Sequence, residues 1–358
     1  MENILEISIP LSTHESHLIA DSLFCGKEII SLETTAESLI SGIDKLEIKD
    51  NKFFILDENQ DVIFIFDRTG KYITKIADIG RGPQEYYDLS DFHIDDDLIY
   101  LVAGSSSHQI MCYNLDGKFQ KSFKTEYPVS RVTTDSGYIY VFYNYSHRQG
   151  HNVGVYDKKE NKLIKRYKPY PKQQEGLGYD NRCWTSCNNK VYAIFPYEYN
   201  IYQLTPDTCQ VIAYINYGTK YMFPKNWTEY SPQQVKNYIN QTGGISESPI
   251  VGSCASLFVT PQKTIFTFVH KCFTHMCIID RENQAIKFGI PWPDSYYWDV
   301  HGLDPVYISD EYIVRPCRPE LMINYRNLKG KNPDTIAEWT LDITEEDNPC
   351  LYFYKLRK

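Results

Sequence analysis

Between Lys45 and Lys124, hydrophobic and polar positions fall into a phrase that is stated and then restated. The first statement is LEIKDNKFFILDENQDVIFIFDRTGKYITKI and the second is FHIDDDLIYLVAGSSSHQIMCYNLDGKFQKSF. In each, an apolar stretch ends in acidic or turn residues, and a second apolar stretch follows. A polar turn, a third stretch, an aromatic-x-x-x-Gly-Lys turn and a fourth stretch complete it. Short strands joined by tight polar turns make one antiparallel unit, so each statement predicts a four-stranded blade. The loop between the two, Gly80-Arg81-Gly82-Pro83-Gln84-Glu85-Tyr86, holds glycines and a proline that exclude both helix and central strand.

The third-strand aromatics Phe66, Tyr113, Tyr156 and Tyr202 are 47, 43 and 46 residues apart, the spacing of propeller blades. The pattern predicts an all-β protein, one six-bladed propeller over residues 1–358, with blades at about 40–80, 88–125, 127–168, 180–218 and 250–290. The sixth is assembled from VYISDEYIVRPC and the C-terminal strand at 351–356, and a strand from 4–9 or 28–33 is expected to pair with the latter and close the ring. Two insertions interrupt the rhythm. Ser231-Pro232-Gln233-Gln234 starts a short helix within about 228–242, by a capping hydroxyl, a first-turn proline and a glutamine three positions on. The segment from about 318 to 349 is polar, rich in turn residues, and predicted to be a long loop.

Composition narrows the function classes. With 37 basic and 46 acidic residues, a net charge of −9 gives no general attraction to nucleic acid or anionic lipid. No apolar run is long enough to span a bilayer, and MENILEISIP lacks the features of a signal peptide, so the chain as written is expected in the cytoplasm, as a monomer. Ten cysteines without a C-x-x-C pair read as reduced, mostly buried thiols, and no structural metal is expected. Thirty tyrosines favour sheet.

Phe66-Asp67-Arg68-Thr69-Gly70-Lys71 followed by the Gly80–Tyr86 run resembles the six-bladed β-propeller proteins abundant in Bacteroides-type bacteria, related to NHL-repeat propellers. Leu32-Glu33-Thr34-Thr35 and Asp347-Asn348-Pro349 are similar to that family as well. The resemblance covers essentially the whole chain and implies a six-bladed ring, without an activity established for the group. Its members often carry an export or lipoprotein signal, which would place the protein in the cell envelope.

The chemistry-bearing residues follow from the blade plan. Inner strands line a propeller's channel, so aligning the copies puts Lys45, Asp91, Arg131 and Arg182 near one mouth, with Asp299 or His301 as the sixth-blade counterpart. Cations and an acid converging on an axis suit a carboxylate, phosphate or sugar, although such charges also pair with one another across a pore. Arg81 and Glu85 sit in a proline-stiffened loop that suits either recognition or a clasp between blades, with Arg81 pairing Glu85 and Tyr86 packed between sheets. His147 and His151 fall in a hairpin loop, and the odd spacing of His270 and His275 points to opposite faces of one strand. No nucleophile elbow, zincin or phosphate-loop motif is present. The leading expectation is therefore a non-catalytic propeller without a cofactor, binding a small anionic or carbohydrate ligand, or a protein partner, at the channel mouth. The alternative is an NHL-like lyase or hydrolase using a metal near the axis.

Overall fold

Two early strands precede the repeats, β1 (Leu5–Ser8) and β2 (Phe24–Ser31). Blade one is β3 (Lys45–Lys49), β4 (Lys52–Asp57), β5 (Val62–Asp67) and β6 (Tyr72–Ile76), and blade two is β7 (Asp91–Asp95), β8 (Leu98–Val102), β9 (Gln109–Asn114) and β10 (Phe119–Lys124). Blade three is β11 (Arg131–Thr134), β12 (Tyr138–Phe142), β13 (His151–Asp157) and β14 (Lys162–Pro169), and blade four is β15 (Trp184–Cys187), β16 (Lys190–Ala193), β17 (Asn200–Leu204) and β18 (Cys209–Asn216). Blade five is β19 (Cys254–Val259), β20 (Lys263–His270), β21 (Phe273–Asp280) and β22 (Ile286–Gly289). Blade six joins β23 (Tyr307–Ile308), β24 (Tyr312–Cys317) and β25 (Cys350–Leu356) to β2. This computed structural model describes residues 4–11, 23–104, 108–146, 150–178, 182–242, 248–252, 254–271, 273–290, 305–329 and 342–357. Its architecture is a six-bladed β-propeller of four-stranded antiparallel sheets.

The middle strands explain the near-continuous apolar runs. In β4, Phe53 and Ile55 pack toward blade six, while Phe54 and Leu56 pack toward blade two. Because alternate side chains leave a strand on opposite faces, a strand sandwiched between neighbouring blades must be apolar at every position. The same division recurs around the ring, with one apolar cluster at each interface between blades. Tight hairpins set the register. Asp50-Asn51 and Asn188-Asn189 hold φ of 49°, 58°, 52° and 55°, the left-handed pair of a two-residue hairpin turn whose twist matches the strands it joins.

Of the two early strands, β2 closes the ring. It pairs antiparallel with β25 from Phe24 opposite Leu356 to Ser31 opposite Cys350. Strand β1 goes elsewhere, running parallel to β18 as a fifth strand on blade four with Leu5 opposite Ala213. Burial of Ile7 and Ile9 in the blade-four cluster accounts for that choice.

The closure carries a polar clasp built from two of the family-like motifs. Asn348 is buried, takes the Ile40 N–H at 2.8 Å, and donates its amide at 2.8 Å to each of the Glu33 and Ser38 carbonyls. Its own N–H meets Thr34 Oγ1 at 2.8 Å. Gly70 lies against this join at φ 87°, where a Cβ would stand 2.0 Å from the Ser31 carbonyl oxygen, so no other residue fits.

Helix α1 (Pro232–Gln241) begins as its sequence predicts, with Ser231 and Gln234 forming a reciprocal capping box and Pro232 in the first turn. The expected loop at 318–349 instead opens with α2 (Pro319–Lys329). Met322 of α2 packs on Cys317 and Cys350, so apolar contact with blade six stabilises a helix that the polar segment around it concealed.

Candidate functional site

Each inner strand runs down from one face of the ring and the second strand returns to it. That face therefore holds the starts of the inner strands, the turns between second and third strands, and the links between blades. Gly80–Tyr86, α1 and α2 all lie in such connections.

Lys45, Asp91 and Arg131 begin successive inner strands, and Arg182 stands just before the next, bridged to Ser256 of blade five. Lys45 Nζ lies 2.9 Å from Asp91 Oδ1 and 3.3 Å from Glu47 Oε1, and also meets the Phe92 carbonyl. The other Asp91 oxygen accepts the Val132 N–H at 2.9 Å. Arg131 donates to the Ser90 carbonyl, and its Nη1 is 3.6 Å from Glu58 Oε1. Arg182 Nη2 approaches the same Glu58 oxygen at 3.5 Å. Two guanidinium groups thus flank one carboxylate at an open mouth, where the Arg182 side chain keeps 31% and Glu58 30% of its exposure. Burial, followed by the charge of Arg131, pulls the Arg182 guanidinium below the usual arginine range, against the opposing pull of Glu58, Asp91 and Asp44.

The structure thus brings Lys45, Asp91, Arg131 and Arg182 together. Arg81 and Glu85 share the face but not these contacts. Among the described residues no ion pair joins Arg81 to Glu85, and Arg81 is exposed. The Glu85 carboxylate instead turns back to accept the Gly82 N–H at 2.8 Å, filling the place a Cβ on Gly80 would need, 2.0 Å from Glu85 Oε2. Tyr86 is buried in the core between blades one and two, and its hydroxyl donates toward the Asp61 and Ile76 carbonyls. This loop has the contacts of a clasp. His301 and Asp299 lie outside the described residues.

Residue-type reasoning missed Glu58, which projects from the turn between β4 and β5 on the mouth side. It also missed the layer below. Glu47 and His93 stand two positions into β3 and β7, and their side chains meet with Glu47 Oε1 3.2 Å from His93 Nδ1. Ser186 of β15 lies 3.4 Å from His93 Nε2. The period of two along a strand was the signal that could have located Glu47 and His93 beneath Lys45 and Asp91.

His270 and His275 do not share a strand. A turn at Lys271, φ 49°, folds them onto β20 and β21, with ring centroids 6.0 Å apart. Burial, then the neighbouring His275 and Lys271 charges, pushes His270 down to about 4, despite the Pro249 carbonyl that favours its protonation. An unfolded chain takes up this proton near pH 6.5, as an unperturbed imidazole does, while the folded chain refuses it until about pH 4. The unfolding free energy should therefore fall as pH drops through that window. His270→Gln should flatten the fall in urea unfolding at pH 7.5 and 5. An equal loss in both proteins would remove His270 as its cause.

Among the described residues no group of three or more His, Cys, Asp or Glu side chains is placed to hold a metal ion, and no helix is long and apolar enough to cross a membrane. The described cysteines are thiols outside any disulfide, and burial pushes thiols such as Cys112 up to about 12.

A family model described as "Domain of unknown function (DUF4934)" matches residues 6–355. The chain is similar in structure to a putative exported protein from Bacteroides fragilis NCTC 9343, with a TM-score of 0.76 at 16% identity, covering 99% of this chain and 100% of that one. It is also similar to a member of the DUF4221 family from Bacteroides vulgatus ATCC 8482, with a TM-score of 0.53 at 13% identity over 94% and 97% of the two chains. At such identities the likeness establishes the fold alone. No curated protein matches the chain.

Proposed function

The chain belongs to the DUF4934 family, whose description assigns no function, and we propose from the geometry of its channel mouth that it is a binding propeller for a small anion. The carboxylates, phosphates and acidic sugars are the ligand classes that suit it. The observation that carries this reading is the convergence of Arg131 and Arg182 on the single Glu58 carboxylate. Planar guanidinium groups offer paired donors to an oxyanion, and Lys45, which is held by Asp91 and Glu47, adds a third cation two inner strands from Arg131. A ligand anion beside Glu58 would share those donors and relieve the repulsion between the arginines. Partial burial, deepest at Arg131, strengthens both effects relative to a fully solvated surface.

A thermal-shift screen of sugar acids, sugars and inorganic phosphate on the wild type and on Arg131→Ala/Arg182→Ala tests this reading. A ligand at about 100 times its Kd adds roughly 2.7 kcal/mol to the wild type, several degrees in Tm, and should leave the double variant unmoved. A ligand that stabilises both proteins equally would place its site away from the mouth.

A further inference from the structure

One layer below the mouth, the channel holds a carboxylate, an imidazole and a hydroxyl in line. Glu47 of blade one sets Oε1 3.2 Å from His93 Nδ1, while its Oε2 accepts the Ile94 N–H at 2.8 Å. His93 of blade two then turns Nε2 toward Ser186 Oγ of blade four, 3.4 Å away. Both ring nitrogens are used in the order that leaves Nε2 the acceptor facing the hydroxyl, because the carboxylate fixes the proton on Nδ1.

Further features fit chemistry better than a passive pore. The Glu47 and His93 side chains retain 18% and 16% of their exposure and Ser186 is half-buried, so a small molecule entering the channel can reach the hydroxyl. Burial alone would raise the Glu47 carboxyl, but the charges of His93 and Lys45 and the hydrogen bonds from His93 and Ile94 together hold it below its usual range, ionised and able to orient the ring. Thr133 stands two residues beyond Arg131 on β11, the inner strand between those of His93 and Ser186, and shares Arg131's strand face. Its hydroxyl is buried without a hydrogen-bond partner, a costly state unless the group serves as a donor to something bound. The 3.4 Å separation at Ser186 lies within the looseness that such contacts show before substrate tightens them.

We propose that Ser186 is the nucleophile of an ester hydrolase, with His93 as its general base and Glu47 as the positioning residue, acting on small acyl esters whose anionic end is held by Arg131 and Arg182. The second half of this statement rests on the mouth reading above; the first does not. The Ser186 oxygen bonds to the ester carbonyl carbon as its proton passes to His93 Nε2, and Thr133 is the hydroxyl available to the developing oxyanion. Collapse breaks the bond to the alcohol oxygen, which leaves with the proton from His93. Water, deprotonated by the same imidazole, then cleaves the acyl-serine, releasing the carboxylic acid and restoring the hydroxyl.

The test treats the full chain with a fluorophosphonate bearing a fluorescent reporter and maps the adduct by peptide mass spectrometry. One adduct on Ser186 is expected, absent in Ser186→Ala and formed about 100-fold more slowly in His93→Ala. Far-UV circular dichroism and Tm establish that each variant is folded, with His93→Gln in reserve should the alanine variant fail to fold. Glu47→Gln should slow labelling, and Glu47→Asp, which keeps a carboxylate for His93 Nδ1, should recover part of the rate; a merely structural role would leave the labelling rate of both folded variants at the wild-type value. A folded wild type without an adduct at Ser186, or a rate unchanged by His93 substitution, overturns the nucleophile. The probe carries no anion, so the arginines are tested with esters instead: Arg131→Ala/Arg182→Ala should lose the preference of the wild type for 4-nitrophenyl succinate over 4-nitrophenyl acetate. Labelling without such a preference removes the arginines from substrate binding, and anion binding without labelling removes the hydrolase while sparing the mouth.

Discussion

A chain lacking residues 1–35 will fail to fold at 37 °C, whereas one lacking residues 1–11 will fold and melt lower by roughly 10 °C. The longer cut removes β2 and, with it, the buried side chains of Leu23, Phe24, Ile30 and Leu32. At about 1.5–3 kcal/mol for each such side chain, the loss approaches the whole stability of an ordinary domain, about 5–15 kcal/mol. It also uncovers the edge of β25, a template for pairing with other chains. The shorter cut removes only β1, with Ile7 and Ile9, from the outside of a blade that already has its four strands. Circular dichroism melts and the soluble yield of the two truncations provide the measurement. A synthetic peptide covering residues 23–35 should restore folding to the longer truncation. If that truncation melts like the full chain, β2 is not what closes the ring.

Asn348→Asp will destabilise the protein more than Asn348→Ala. The alanine leaves the Ile40 N–H and the Glu33 and Ser38 carbonyls without their partner in a buried setting, which costs about 3 kcal/mol or more. The aspartate keeps the acceptor but points an anion at two carbonyl oxygens, so it adds the penalty of an uncompensated buried charge, and a total of roughly 4–5 kcal/mol is expected. Differences of that size move Tm by on the order of 10 °C or more and are resolved by urea denaturation. An aspartate variant as stable as the wild type would mean that the amide of Asn348 does not clasp the 33–40 segment.

The repeated blades could be read from the chain because their signals are local. The aromatic-x-x-x-Gly-Lys turns, the apolar middle strands and the Ser231 capping box each act within a few residues. Helix α2 was hidden because the 318–349 segment as a whole reads as polar and turn-rich, while the contact that fixes the helix is Met322 against Cys317 and Cys350. The mouth was legible for a geometric reason. Lys45 and Asp91 are 46 positions apart, close to one blade, so register alone makes them neighbours. The same separation joins Glu47 to His93, and that pair went unseen only because the alignment stopped at the strand starts. Glu58 projects from a hairpin turn outside that alignment, while the Ser186 contact with His93 crosses two blades at a separation of 93, close to two periods, and lies one layer below the strand starts for the same reason as Glu47.

The closure also sets a schedule for biosynthesis. Ile40 and the side chain that holds it, Asn348, lie 308 positions apart, and β25 follows Asn348 directly. At about 5–20 residues per second, a ribosome needs roughly 15–60 s to reach the partner after making β2. Throughout that interval the nascent chain carries an incomplete last sheet and an unpaired outer strand, while earlier blades, whose contacts are local, can already condense. Completion is therefore the final and most non-local event of folding, and the stage at which chaperone occupancy on the emerging chain should be longest.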